Sequence, residues 1–339
     1  MARSRKKINT DAQPGLFDDL DIFQERVDGD FELIPPEKME KIAASVKPRE
    51  EIDRMTPVTR DNPTVLMSFG SGSSGNCMYI GTRDEGVLVD AGVELDRVLK
   101  GLHDNGLSIS AVKAIVLTHD HGDHIKYAYQ IVRKYRHILI HCTLRVLNGI
   151  LRRHNISRRI KDYHHPIYKE FPFTVAGMEL TAFEVKHDGM DNAGYFIRTA
   201  DRTITVATDL GCISDRAEHY MRQSSTIVIE ANYDHDMLRE GPYPEYLKSR
   251  IISDCGHLDN EVSARFIASI VSPALTHVFL CHLSHENNTP EKALEAMTTH
   301  LAQAGVTLIG DGLDPLSIPR PQLHLIALPR QEVTPLYIL

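Results

Sequence analysis

The feature that most constrains this chain is one short run, His119-Asp120-His121-Gly122-Asp123-His124. It follows the apolar segment Ala114-Ile115-Val116-Leu117, which reads as a buried strand, and it opens a segment with helical patterning from about Asp123. A strand-to-helix loop this short cannot scatter its side chains. A bend at Gly122 turns His119 and His121 toward one cation and Asp123 and His124 toward a second. Neutral imidazole nitrogens and carboxylate oxygens suit zinc, manganese or iron. Two divalent metal ions about 3.5–4 Å apart are the expected consequence.

The rest of the chain has α/β texture. From Thr64, short β-rich runs (TVLMSF, CMYIG, GVLVDAG) are punctuated by glycine, and then strands alternate with helical patterns. Further strand-like runs, ELTAFEVKH, TITVATD, TIVIEANYD and HVFLCH, end in His, Asp, Asn or Glu. Strand ends are where α/β proteins place their chemistry, so one site assembled from several strands is expected. With 339 residues, 42% hydrophobic and 25% charged, the chain can bury a large core and is not collagen-like, mucin-like or wholly disordered. Residues 1–62 lack apolar periodicity and read as a flexible arm, leaving residues 63–339 as the folded domain. After Gly312 the prolines Pro315, Pro319, Pro321, Pro329 and Pro335 predict an irregular tail along the body.

No apolar run reaches the ~18 residues of a membrane span, and the basic opening MARSRKK is not followed by an apolar signal segment. A cytoplasmic protein with no membrane partner is expected. Cys77, Cys142, Cys212, Cys255 and Cys281 are odd in number and show no CxxC spacing, which favours reduced, mostly buried thiols.

The net charge of −8 argues against a nucleic-acid partner until its distribution is seen. Between Lys126 and Lys161 stand Arg133, Lys134, Arg136, Arg145, Arg152, Arg153, Arg158, Arg159 and both terminal lysines, with no Asp or Glu. Such a segment beside a metal motif fits phosphate-backbone binding; the plain alternative is the solvated face of two helices. Arg152, Arg153, Arg158 and Arg159 are the candidate backbone contacts. The glycine- and serine-rich stretch Gly70–Asn76 is either an anion-binding loop, with Ser71, Ser73, Ser74 and Asn76 as candidate substrate contacts, or an ordinary turn.

The HDHGDH run resembles the HxHxDH signature of the metallo-β-lactamase superfamily, whose fold is a four-layer αβ/βα sandwich. That resemblance implies a further His, an Asp and a last His at successive strand ends, and His187, Asp209 and His282 occur in that order. It assigns His119, His121 and His187 to one metal and Asp123, His124 and His282 to the other, with Asp209 bridging. It also implies that Asp123 and Asp209 position a hydroxide shared by the two ions. Within the superfamily the chain is similar to the YycJ/WalJ branch of DNA-processing hydrolases over about residues 64–290. The supporting segments are GSGSSGN, VDAG, EANYD, GHLDN and HLSHENN, and the chain departs at Asp259, at Ala231 and in its long arm. The branch implies 5′-to-3′ exonuclease action on duplex DNA. His257 and His282 both compete for the last ligand position; by likeness to ribonuclease Z, His282 is the ligand and His257 a proton donor, although a His near a helix start can also cap it. In the arm, Gln13, Leu16 and Phe17 resemble the short motif that binds bacterial sliding clamps, which would make such a clamp a partner.

Three other readings stay open: a small-molecule hydrolase acting on a thioester, lactone or cyclic nucleotide, a ribonuclease, and a binding module with a structural metal site.

Overall fold

The computed structural model describes residues 62–309 and 322–339. Gln13, Leu16 and Phe17 lie outside these residues, as does the arm up to residue 61.

The architecture follows from strands that are apolar on both faces. In β1 (Val65–Gly70), Val65, Met67 and Phe69 enter one apolar cluster while Leu66 enters another. In β4 (Val112–Val116), Val112 and Ile115 join the first cluster, and Ala114 and Val116 the second. Such strands must be covered on both sides. One sheet has the order β15 (Tyr337–Ile338), β1, β2 (Cys77–Gly81), β3 (Gly86–Val89), β4, β5 (Leu139–Cys142), β6 (His164–Pro166). The other runs β13 (Thr307–Ile309), β14 (Gln322–Ala327), β12 (His277–Cys281), β11 (Thr226–Glu230), β10 (Thr203–Ala207), β9 (Ala193–Arg198), β8 (Met178–Glu184), β7 (Phe173–Val175). Their inner faces meet through Leu66, Val89 and Ala114 on one side and Leu180, Val206 and Phe279 on the other.

Helices α1 (Leu95–Asp104), α2 (Gly122–Ile125), α3 (Ala128–Lys134) and α4 (Leu144–Arg153) pack on the outside of the first sheet. Helix α5 (Asp215–Met221) packs on the second, and α6 (His235–Glu240) and α7 (Glu245–Ile252) form a small satellite cluster with Tyr233. Helices α8 (Asn260–Ile270) and α9 (Pro290–Gln303) complete the second outer layer. This is the four-layer αβ/βα sandwich expected from the sequence.

Strands β3 to β6 are parallel to one another, as are β10, β11, β12 and β14, so many carboxyl ends gather at one edge of the molecule. The tail corrects its sequence reading. It is not irregular throughout: β14 lies between β12 and β13, and β15 pairs antiparallel with β1. Pro329 and Pro335 fall between these strands, where a missing N–H breaks no ladder bond. Among the described residues no helix is long and apolar enough to cross a membrane. All five cysteines are free; Cys77, Cys142 and Cys281 are buried, Cys212 is half-buried and Cys255 is exposed.

Candidate metal centre

The loop after β4 is seated on the segment after β3. Asn76 N donates to the Asp123 carbonyl at 2.8 Å and Ala91 N to the His124 carbonyl at 2.7 Å. A Cβ on Gly92 would overlap the Asp123 carbonyl, so the glycine of VDAG permits this close approach. The two aspartates of the run divide. Asp120 is buried and accepts from Met190 N at 2.7 Å, with Arg153 Nη1 at 3.4 Å, so it fastens the loop from behind. Asp123 turns inward.

The second sheet supplies the remaining donors from the ends of β8, β10 and β12. His119, His121 and His187 bring ligand atoms within 4.8 Å of one another; so do Asp123, His124 and His282, and so do His119, His124 and Asp209. Asp209 faces both sides of the cluster. Its Oδ1 lies 3.7 Å from His187 Nε2 and its Oδ2 lies 3.3 Å from His124 Nε2. His119 Nε2 and Asp209 Oδ2 are buried without a hydrogen-bond partner, which in a folded interior is costly unless something else satisfies them. Divalent cations satisfy both, and the donor set fits them.

A family model described as a β-lactamase superfamily domain matches residues 86–282. This chain belongs to the metallo-β-lactamase superfamily. Over 237 residues it is 33% identical to exodeoxyribonuclease YycJ of Bacillus anthracis, covering 70% of this chain and 89% of that protein. Over 246 residues it is 32% identical to exodeoxyribonuclease WalJ of Streptococcus pneumoniae, covering 73% and 90%. The metallo-β-lactamase-fold protein YhfI from Bacillus subtilis superposes with a TM-score of 0.58 at 13% identity, over 80% of this chain and 99% of that one, a likeness of fold alone.

This metallo-β-lactamase-fold hydrolase also contains carboxylates that the sequence reading did not single out. Glu230, the last residue of β11, is fully buried; its Oε1 lies 2.7 Å from His257 Nδ1 and 2.9 Å from His282 Nδ1. Its Oε2 accepts from Leu210 N at 2.7 Å and Leu258 N at 3.1 Å. Asp90, immediately after β3, stands 2.7 Å from His124 Nδ1 and accepts from Thr118 N at 2.9 Å. Both orient a ring whose other nitrogen faces the cluster, the usual backing for a ligating imidazole. The signal that could have found them is a carboxylate closing an otherwise apolar strand. His257 is not a helix cap: Asp259 caps α8, accepting from Glu261 N at 2.7 Å.

Protonation divides the centre. Burial, and then the neighbouring histidines, hold His119 well below the usual imidazole range; burial and His187 take His121 down to about 3. These rings are neutral and ready to donate lone pairs. Burial would also lower His282, but Asp209, Asp123 and Glu230 raise it to about 10. His124 is likewise raised, by Asp209, Asp90 and Asp123 against its burial. Asp123, which burial alone would push up, is held well down by His124 and His282.

The substrate candidates are spread out. Ser73 and Ser74 are exposed, whereas Ser71 and Asn76 are buried and engaged within the protein. Ser71 Oγ accepts from His282 N at 2.9 Å, and Asn76 Nδ2 lies 3.2 Å from Asp123 Oδ2. Arg152, Arg158 and Arg159 are exposed, while Arg153 is only partly so and faces Asp120. The basic segment adjoins the metal loop, for a Cβ at Gly122 would sit 3.8 Å from His154 at the end of α4.

Proposed function

We propose that this protein is a two-cation DNA exonuclease that hydrolyses phosphodiester bonds from the 5′ end of duplex DNA. The observation that carries the reading is 33% identity to an exodeoxyribonuclease across 89% of that protein's length. The buried His and Asp groups and the exposed cations beside them support it.

In this reading His119, His121 and His187 would hold one divalent cation and Asp123, His124 and His282 the other, with Asp209 available to either. Zinc, manganese and iron all suit the donors. Such a pair supplies Lewis-acid polarisation of a phosphoryl oxygen and a lowered pKa for the attacking water. The chain does the rest. Asp123 and Asp209 orient the attacking water by their fixed oxygens. Glu230 fixes His257 through Nδ1, so Nε2 is the atom left to exchange a proton with the departing oxygen, and the side chain is 22% exposed, enough to meet it. Ser73 and Ser74 contact a phosphate near the scissile bond. Arg152, Arg158 and Arg159 hold the backbone without reading bases, and Arg153 acts indirectly by securing Asp120. On its sequence alone, the Gln13, Leu16 and Phe17 motif supports tethering to a sliding clamp.

The test is release of acid-soluble product from end-labelled duplex DNA, with single-stranded DNA and RNA alongside and zinc and manganese compared. Release from duplex by the wild type, absent in Asp209→Ala, is expected. Hydrolysis of a small ester or thioester with silence on every nucleic acid would overturn the reading.

A further inference from the structure

Two of the three histidines of the first group have one nitrogen hydrogen-bonded by the protein and one turned toward the group. His119 Nδ1 lies 3.0 Å from Thr118 Oγ1, and its Nε2 has no hydrogen-bond partner. His187 Nδ1 donates to the Gly256 carbonyl at 2.9 Å, and its Nε2 lies 3.2 Å from His121 Nδ1. For His121 the inward atom is therefore Nδ1. Its other nitrogen, Nε2, lies 3.3 Å from Asp188 Oδ1, a buried oxygen with no hydrogen-bond partner that also stands 3.5 Å from His187 Nε2. The other oxygen of Asp188 accepts a fork from Arg250 on α7, Nε at 2.7 Å and Nη2 at 2.6 Å.

We propose that Asp188 is a positioning residue that fixes the ring and tautomer of His121, and that Arg250 acts through Asp188 rather than on substrate. The inference rests on the two-cation reading above. His121 is the ring that most needs such an anchor. Its side chain is 26% exposed and it sits at the turn into α2, whereas His187 is 1% exposed. A carboxylate brought against the outer nitrogen of an imidazole favours the tautomer protonated there, which leaves the inner nitrogen as the lone-pair donor and sets its direction. Asp188 is a third carboxylate around the same histidines, after Asp209 and Asp123, and the guanidinium fork of Arg250 offsets its charge while locking its rotamer. The pairing also ties α7 to the end of β8, so Arg250 joins the satellite cluster to the metal centre.

The test is calorimetric titration of cation-stripped protein with manganese chloride. Wild type, Asp188→Ala, Asp188→Asn, Arg250→Ala and the Asp188→Ala/Arg250→Ala double variant are compared, with the melting temperature of each cation-free protein measured alongside. The wild type is expected to bind about two ions. Asp188→Ala should still bind both, with one dissociation constant raised ~10–100-fold and the other unchanged. Asp188→Asn, which keeps an acceptor oxygen but not the charge, should fall between, and Arg250→Ala should weaken the same ion by less than Asp188→Ala does. The double variant should match Asp188→Ala alone. Cation-free melting temperatures should stay within about 2 °C of wild type. The proposal is overturned if both constants in Asp188→Ala stay at wild-type values, or if one ion is lost outright, which would make Asp188 itself a ligand. It is also overturned if Arg250→Ala weakens binding further in the Asp188→Ala background. Should Asp188→Ala fail to fold, Asp188→Asn and Arg250→Ala decide the question alone. A wild type that binds no manganese or zinc would instead overturn the two-cation reading.

Discussion

The two ends of β12 each present a buried histidine, and the two behave oppositely. His277, at the start of the strand, stacks on His324 with ring centroids 4.6 Å apart. Burial, then His324 and Arg202, take its pKa down to about 4. His282, just past the other end, is more deeply buried but faces Asp209, Asp123 and Glu230, which raise it to about 10. One strand thus carries a neutral packing histidine at one end and a charge-paired one at the other. Burying histidines together does not make a metal centre; converging carboxylates around them does, because they supply the negative charge that two divalent cations neutralise. His282 is also held at φ 54, a left-handed backbone conformation uncommon for a non-glycine residue. Ser71 Oγ and Asn232 Nδ2 bond its backbone N–H and C=O at 2.9 and 2.8 Å and keep it there.

The contrast can be broken most severely at Asp209, which faces both halves of the cluster. Asp209→Ala should lower kcat by at least ~10³-fold, since several kcal/mol of charge stabilisation are at stake, in the nuclease assay, while circular dichroism of the cation-free protein keeps its folded signature. His257→Asn should cost ~10²–10⁴-fold in kcat with metal stoichiometry unchanged, the mark of a proton donor rather than a ligand; loss of an ion in that variant would make His257 a ligand instead. Glu230→Gln removes the charge behind both His257 and His282 and should weaken metal binding by about 10–100-fold, read by chelator competition.

The pH dependence of metal binding carries a definite sign. A proton must leave His282 before its nitrogen can ligate, and that proton is held up to about pH 10. Metal affinity should therefore rise with pH below that value, by about tenfold per unit for each proton displaced. A flat profile between roughly pH 6 and 9 would mean that His282 is already neutral.

The smallest effect is expected at the far end of β12. His277 has a depressed pKa in the folded protein, so the unfolded chain takes up its proton first. The stability it contributes is whole above the ordinary histidine value of about 6.5 and is lost as pH falls toward about 4. His277→Phe should flatten that part of the melting-temperature curve and leave the rate in the proposed nuclease assay within about twofold of wild type.

Legibility in the sequence tracked how local each feature is. His119, His121, Asp123 and His124 share one loop, and their spacing alone states the chemistry. His187, Asp209 and His282 are separated along the chain and were legible only through family resemblance, because each is an unremarkable polar residue after a strand. Glu230 and Asp90 went unassigned, since their role is to back histidines distant in sequence, and only register brings them together: Glu230 opposite Cys281, and Val89 opposite Val116. Composition leaves Gly70–Asn76 open between an anion-binding loop, with Ser71 and Asn76 among its candidate contacts, and an ordinary turn. In the folded chain Ser71 Oγ accepts from His282 N and Asn76 Nδ2 lies 3.2 Å from Asp123 Oδ2, contacts between distant segments that composition does not announce. The strands of the tail were hidden because β14 and β15 pair with β12 and β1, and no local period announces such distant partners.

The most direct measurement is the metal content of cation-stripped protein reloaded with manganese or zinc and desalted, for wild type, Asp209→Ala and His277→Phe. About two ions per chain are expected in wild type and in His277→Phe, with a clear deficit in Asp209→Ala. Two ions retained by Asp209→Ala, or none held by the wild type, would contradict a centre built on carboxylates that converge around buried histidines.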